Sequence, residues 1–235
     1  MSETDAEFLL QGARALGVEL SREAIDLLLA YCDEVIFWNA VAGITSYSKK
    51  KDIFAFMILD SLAGAKLIDR LSLKRLLDAG TGGGFPGIPL RIARPHLELT
   101  LVDSSSKKVD FLKHIAGRLK LKDVHIESGR IPKLAHGGAF GGQFEGVVAR
   151  ALAPLPKLLE MTVPLIETGG LILAWKGPAL ERELREARDL LQTLNVRVEK
   201  VLKYGHHLGQ AGRKIVVIRK LAAIDQANRG KAAGR

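Results

Sequence analysis

Leu76-Leu77-Asp78-Ala79-Gly80-Thr81-Gly82-Gly83-Gly84-Phe85-Pro86-Gly87 is the stretch that decides the fold. Two leucines of a short apolar strand run into an acid and then into a dense glycine turn. Such a turn lets backbone pass close to a ligand at the carboxyl edge of a sheet, because glycine has no Cβ and adopts positive φ freely. Gly82, Gly84 and Gly87 also fit the spacing G-x-G-x-x-G of a dinucleotide fingerprint, with Asp103 at about the expected 20 residues beyond. Spacing alone does not choose the ligand, and a turn that merely joins strand to helix satisfies it too.

Charge separates these readings. A carboxylate at Asp78, beside the turn, would repel a pyrophosphate and attract the ammonium and sulfonium groups of S-adenosyl-L-methionine. Pro86 and Pro89 lack N–H groups near the helix start, which thins the ring of donors a diphosphate needs. The turn therefore reads as an S-adenosyl-L-methionine site, with an NAD-dependent oxidoreductase as the alternative. Asp103 closes the next strand, Leu99-Thr100-Leu101-Val102. A carboxylate at that edge accepts hydrogen bonds from both ribose hydroxyls, or else caps the helix that starts near Ser105 or Ser106.

Outward from the turn, β-rich runs at 75–79, 97–103, 124–128, 144–149 and 171–175 alternate with helical patterns after Gly87 and over 106–119, 155–166 and 179–194. That alternation predicts an α/β parallel sheet. Runs at 196–204 and 213–220 follow each other without a helix, so the last pairing is expected to be antiparallel, as in methyltransferase rather than dehydrogenase sheets. Upstream, apolar residues at helical spacing predict two helices over 6–37, the second capped by Ser21, then irregular chain over 38–51 and one amphipathic helix over 52–71. The expected organisation is a helical cap (1–71), a Rossmann-like catalytic sheet (72–220) and a basic flexible tail (221–235).

The chain has 235 residues, of which 47% are hydrophobic, and carries a net charge of +9. That charge is split: residues 1–65 sum to −5 and the rest to +14. A basic half of this kind suits a polyanion, with nucleic acid the commonest case, or is simply a soluble basic surface. Cys32 is the single cysteine, which excludes an internal disulfide framework and reads as a small buried apolar residue in a reducing compartment. No basic leader or membrane-length apolar run is seen, so a soluble cytoplasmic protein is expected. His206-His207 lacks an acid or cysteine at ligand spacing and reads as polar loop, with no metal implied.

With these surroundings the residues resemble the bacterial small-subunit (16S) rRNA guanine-N7 methyltransferase G family, once called glucose-inhibited division protein B. The resemblance is carried by Phe37-Trp38-Asn39, Gly43-Ile44-Thr45, Ile58-Leu59-Asp60-Ser61-Leu62, the stretch from Asp78 to Leu90, Arg94-Pro95, Leu101-Val102-Asp103-Ser104, Lys107-Lys108, Phe111-Leu112, Ala149-Arg150-Ala151 and Lys176-Gly177. Gly84-Phe85-Pro86-Gly87-Ile88-Pro89-Leu90 is the most specific of these. The family implies a class I S-adenosyl-L-methionine-dependent methyltransferase that releases S-adenosyl-L-homocysteine and acts on 16S rRNA or a small-subunit precursor, as a monomer. By the same resemblance Gly80 and Phe85 contact the donor, Ile131 and Pro132 flank its adenine, and Arg150 lines the donor pocket. Phe56-Met57 stands where the family usually has Arg-His, and Pro132 where it has an acid. A proline there keeps a carbonyl acceptor and loses an N–H donor.

The implied chemistry needs no base. Guanine N7 has an available lone pair at neutral pH, so positioning and a charge-tolerant environment are the enzyme's task, and no catalytic residue is assigned. No Asn/Asp-Pro-Pro-aromatic motif for an exocyclic amine is present. Lys107, Lys108, Lys113, Arg118, Lys120 and Lys122 form a candidate phosphate strip or a solvated helix face. Arg150 or Lys176 is placed to approach the target base, and Phe85, Trp38 or Trp175 either stacks on it or packs the core. A ribosome-assembly RNA binder with a vestigial donor pocket is the non-enzymatic alternative.

Overall fold

The computed structural model describes residues 3–136, 140–205 and 212–222. Its elements run α1 (Glu3–Ala15), α2 (Arg22–Ala42), α3 (Lys50–Ile53), a π-helical segment (Phe54–Leu59), α4 (Asp60–Leu62), α5 (Ala65–Arg70), β1 (Arg75–Ala79), α6 (Gly87–Ala93), β2 (Glu98–Asp103), α7 (Ser106–Arg118), β3 (Val124–Ser128) and α8 (Ile131–His136). They continue with β4 (Phe144–Arg150), α9 (Leu155–Thr162), a 3-10 turn (Val163–Leu165), β5 (Ile166–Lys176), α10 (Leu180–Glu186), α11 (Arg188–Thr193), β6 (Val196–Tyr204) and β7 (Arg213–Lys220).

The seven strands form one sheet in the order β3-β2-β1-β4-β5-β7-β6. β1 to β5 are parallel, and β7 inserts antiparallel between β5 and β6. The expected antiparallel ending is therefore present, although residues 206–211 of its connection, with His206-His207, lie outside the described residues, as does 223–235 of the tail. After β1 the chain works outward through β2 and β3, then returns to place β4 on the other side of β1. The carboxyl ends of β1 and β4 thus flank the topological switch point, where open α/β sheets bind ligands.

Side-chain alternation along the strands feeds two cores. Leu76, Leu99, Leu101, Val148, Leu173 and Val217 face one way and join a cluster with Leu28, Tyr31, Ile53, Leu59 and Ile68 of the N-terminal helices. Leu77, Val102, Val147, Ile172 and Val216 face the other way, against Leu155, Leu158 and Leu180. The period of two makes the sheet a shared wall, and the N-terminal helices pack as a layer on it.

Several sequence expectations are corrected. The second helix runs past 37 to Ala42 and stops at Gly43, whose φ of +58° supplies the left-handed C-cap while its N–H donates to the Asn39 carbonyl. Its start is as expected, with Ser21 Oγ accepting from Ala24 N at 3.1 Å. The single helix over 52–71 is instead α3, a π segment and α4 in succession, then α5 after a break at Ala63-Gly64. At the break a Cβ on Gly64 would fall 2.6 Å from the Trp175 ring. Close packing of that indole requires a residue without a side chain at the break. The helix over 155–166 ends at Thr162, because Pro164 carries no N–H and drives a 3-10 turn. Ile166 already belongs to β5, and the stretch over 179–194 is two helices meeting at Ala187.

Candidate functional site

Asp78, the penultimate residue of β1, has its side chain on the helical-cap side and is fully buried. Its Oδ2 accepts from Thr81 Oγ1 at 2.6 Å and from Gly87 N at 2.7 Å, so the acid stitches the two ends of the glycine turn together. Oδ1 has no hydrogen-bond partner. Burial pushes the carboxyl up to about 7, against the opposing pull of the Thr81 and Gly87 hydrogen bonds. The sequence reading set Asp78 directly against a ligand cation; the structure gives it the immediate task of shaping the loop.

Five amides of the turn are engaged within the protein. Thr81 N donates to Val102 O, Gly82 N to Asp103 Oδ2, Gly84 N and Phe85 N to Thr81 O, and Gly87 N to Asp78. A diphosphate binds by collecting such N–H groups, and here these five are already engaged. That leaves the nicotinamide alternative few donors. Gly80, Gly82 and Gly84 hold φ of +64°, +60° and +93°. A Cβ on Gly82 would meet nothing closer than Lys108 Nζ at 4.0 Å, so this glycine presents bare backbone to open space.

That space is a cavity of about 310 Å³ between the turn and the helical cap, bordered by Gly80 to Gly83, Phe85, Lys108, Arg150, Ala151, Arg213, Ile44, Tyr47, Phe56 and Met57. Asp103 stands at its β2 side. Its Oδ2 takes the Gly82 amide at 2.8 Å and its Oδ1 the Ser105 amide at 2.9 Å. Two carboxylate oxygens offer about four acceptor positions, so capacity for hydroxyl donors is left. The capping alternative takes the form of an Asx turn onto Ser105, since Ser105 is the N-cap of α7 and caps nothing with its own side chain.

Arg150, the last residue of β4, crosses to the cap. Nη1 donates to Phe56 O at 2.9 Å and pairs with Asp60 Oδ2 at 3.1 Å, Nη2 lies 3.1 Å from Met57 Sδ, and the guanidinium stacks 5.3 Å from the Phe85 centroid. Phe56 lies within the π segment, so the carbonyl that Arg150 meets belongs to this wider turn of backbone. Asp60 is fully buried and also takes Tyr204 Oη at 2.7 Å, with Arg213 Nε at 3.7 Å. Burial and the adjacent Asp60 carboxylate push the Tyr204 phenol well above its ordinary range. From α2, Tyr31 Oη donates to Gly83 O while its ring tilts against Phe85 at 5.1 Å.

Of the predicted site residues, the structure gathers Gly80, Gly82, Phe85, Lys108 and Arg150 around the cavity, with Asp78, Gly84 and Asp103 supporting the turn. Ile131 and Pro132 are not brought into it. They begin α8 beyond the carboxyl end of β3, with Ile131 buried in the opposite core and Pro132 exposed, while the chain just before them is tied to β2 by Gly129 N donating to Asp103 O at 3.0 Å. Lys107, Lys113 and Arg118 are exposed on α7, and Lys120 and Lys122 are exposed in the chain that follows it. Lys176 is buried and bonded to Ala153 O and Glu183 Oε2, both at 2.7 Å, so its charge is already paired. Trp175 is core, donating to Asp60 O at 2.8 Å, and Trp38 packs on Phe111 and His114. Cys32 is buried, which pushes its thiol up to about 12 and leaves it unreactive.

Sequence reading assigned no role to Tyr31, Asp60, Tyr204 or Arg213. Asp60 carried a signal, since an acid inside the apolar run Ile58 to Leu62 must find a buried partner. The tyrosines carried none.

These residues fit an adenosyl sulfonium ligand: an open glycine backbone, a ribose-height carboxylate on β2, and a buried acid with one unpartnered oxygen behind the turn. The fold agrees. An O-methyltransferase from Bacillus cereus solved in complex with SAH superposes with a TM-score of 0.58, at 17% identity, over 81% of this chain and 91% of that one. A SAM-dependent methyltransferase from Aquifex aeolicus gives 0.54 at 18% identity over 72% and 93%. At the sequence level, the "Ribosomal RNA small subunit methyltransferase G" of Desulfitobacterium hafniense (strain Y51) is 36% identical over 92% of this chain and 90% of its own length, and that of Streptococcus sanguinis (strain SK36) is 37% identical over 87% and 86%. The family model described as "rRNA small subunit methyltransferase G" matches residues 24–223, and the chain belongs to that family.

Proposed function

We propose that this chain transfers the methyl group of S-adenosyl-L-methionine to N7 of a guanine in 16S rRNA, in the cytoplasm and as a monomer, with a small-subunit RNA or precursor particle as its partner. The observation that carries the reading is the glycine turn at the switch point, with five of its amides engaged within the protein, open at Gly82 and flanked by Asp103 and Arg150. Gly80, Gly82 and Phe85 would hold the donor, Asp103 its ribose, and Arg150 the side of the pocket towards the acceptor. When bound, the donor supplies an electrophilic methyl group.

The chain's own residues then do three things. The Arg150–Asp60–Tyr204 network fixes the cap over the carboxyl edge of the sheet, which restricts water. Arg150, held by four contacts, keeps a fixed cation beside the reaction, and Lys107 and Lys108 at the start of α7 attract phosphate in a salt-dependent way. No proton need be removed from N7. The ionisable side chains lining the cavity among the described residues are Lys108, Arg150, Arg213 and Tyr47, and the Asp103 carboxylate at its β2 side is engaged by the Gly82 and Ser105 amides. The relatives' printed names support the rRNA substrate, and among the described residues no helix is long and apolar enough to cross a membrane.

The test is incubation with labelled donor and small-subunit RNA, naked and as particles, followed by strand cleavage at N7-methylated guanines. One cleaved guanine is expected. Transfer to neither substrate would overturn the proposal.

A further inference from the structure

A second cavity, of about 420 Å³, adjoins the first and shares Arg150, Ala151 and Arg213 with it. It lies past the carboxyl ends of β4 and β5, and its far wall holds Lys176 and Glu183. The two side chains are 9% and 12% exposed, so the pair is largely desolvated yet reaches the cavity.

Their remaining valences face the same way chemically. Of the three ammonium hydrogens of Lys176, two are directed to Ala153 O and Glu183 Oε2, leaving one. Glu183 Oε2 takes Lys176 and the Leu155 amide, both at 2.7 Å, and nothing among the described residues donates to Oε1. The cavity wall therefore presents one cationic donor beside one anionic acceptor, with no net charge to desolvate further when a neutral base enters.

Around the rim of guanine the order is N7, the O6 acceptor, then the N1 and N2 donors. A base with N7 towards the first cavity carries an acceptor followed by donors towards the second. Adenine carries the reverse, a donor at N6 and a lone pair at N1, which would face the ammonium and the carboxylate with like polarity. We infer that Glu183, beside Lys176, reads the Watson–Crick edge of the target base, accepting from N1–H and N2–H while Lys176 donates to O6. Glu183 is thus a specificity-determining residue for an extruded guanine. The inference rests on the guanine-N7 reading above.

The experiment uses small-subunit RNA in which the mapped guanine is replaced by inosine, which keeps N7, O6 and N1–H and lacks the N2 amine. For the unaltered protein, kcat/KM on the inosine RNA is expected to fall by about tenfold or more, as for loss of a good base contact. For Glu183→Gln, guanine and inosine RNAs should be used with similar, reduced efficiency. S-adenosyl-L-homocysteine binding by calorimetry should stay unchanged, which reports an intact donor site and fold. A purely structural role for Glu183, through Leu155 and Lys176, would leave the guanine-to-inosine ratio where it was, and that outcome overturns the inference. An N7 product with no inosine penalty in the unaltered protein overturns it without any variant. Absence of N7 product on unsubstituted RNA overturns the guanine-N7 reading, and this inference with it.

Discussion

The guanidinium of Arg150, at the carboxyl end of β4, lies 3.1 Å from the carboxylate of Asp60 in the helical cap, ninety positions earlier in the chain. This contact joins the cap to the switch point of the sheet. Asp60 is wholly buried, so truncating it strands Arg150 and the Tyr204 hydroxyl without their acceptor. Asp60→Ala is expected to cost about 3–5 kcal/mol of unfolding free energy, as for other broken buried pairs. Asp60→Asn, which keeps shape and one acceptor, should cost less. Urea titration of both variants checks this.

Arg150→Lys keeps the charge and loses the planar fork that reaches Phe56 O, Asp60 and Phe85 together. Affinity for S-adenosyl-L-homocysteine is expected to drop by about tenfold, since Lys neither stacks nor bonds in two directions as well. Calorimetry measures it, and an unchanged affinity would detach Arg150 from the donor pocket.

Asp78 makes stability depend on pH. Its folded value of about 7 stands above its ordinary 3.8, so the folded state holds a proton that the unfolded state releases first. Stability from this group is therefore present below about pH 4 and is lost as pH rises through about 7, at most 1.4 kcal/mol per pH unit. Asp78→Asn imitates the protonated acid and should remove this slope. The variant and the unaltered protein should have similar urea midpoints below about pH 4, with the variant ahead at pH 8.

Two glycines predict opposite outcomes. Gly80 has φ of +64°, and a Cβ there would lie 2.5 Å from Leu152 Cδ1, so Gly80→Ala should strain the turn and weaken donor binding by about tenfold. Gly117, in α7, has nothing within 4 Å of an added Cβ and no positive φ. Gly117→Ala should raise stability by about 0.5–1 kcal/mol with donor affinity unchanged. Thermal melts with and without S-adenosyl-L-homocysteine separate the two.

The sheet was legible because each strand announces itself locally. Leu76 and Leu77 point to opposite cores, and the same alternation recurs in β2, β4 and β5. The glycine turn was legible for the same reason: Gly80, Gly82 and Gly84 all occupy the left-handed region. What stayed hidden depends on partners distant in sequence. Nothing near Phe54 to Leu59 distinguishes a π segment from an α-helix, and Arg150, which bonds the Phe56 carbonyl within it, is 94 residues away. Lys176 looked like a free cation until β5 and α10 brought Glu183 to it, and the indole of Trp175 packs at the break in a helix that periodicity drew as continuous. Ile131 and Pro132 followed from resemblance alone and lie outside the cavity.

The central claim is that the turn and Asp103 hold the donor for transfer to guanine N7. Its most direct measurement is the 7-methylguanosine content, by mass spectrometry of nuclease digests, of small-subunit RNA incubated with donor and either the unaltered protein or Asp103→Ala. The account predicts one 7-methylguanosine per RNA molecule with the unaltered protein and a rate at least about tenfold lower with the variant, the scale of a lost charge-assisted hydrogen bond. Methyl groups on another atom, no methylation, or equal rates for the two proteins would contradict it.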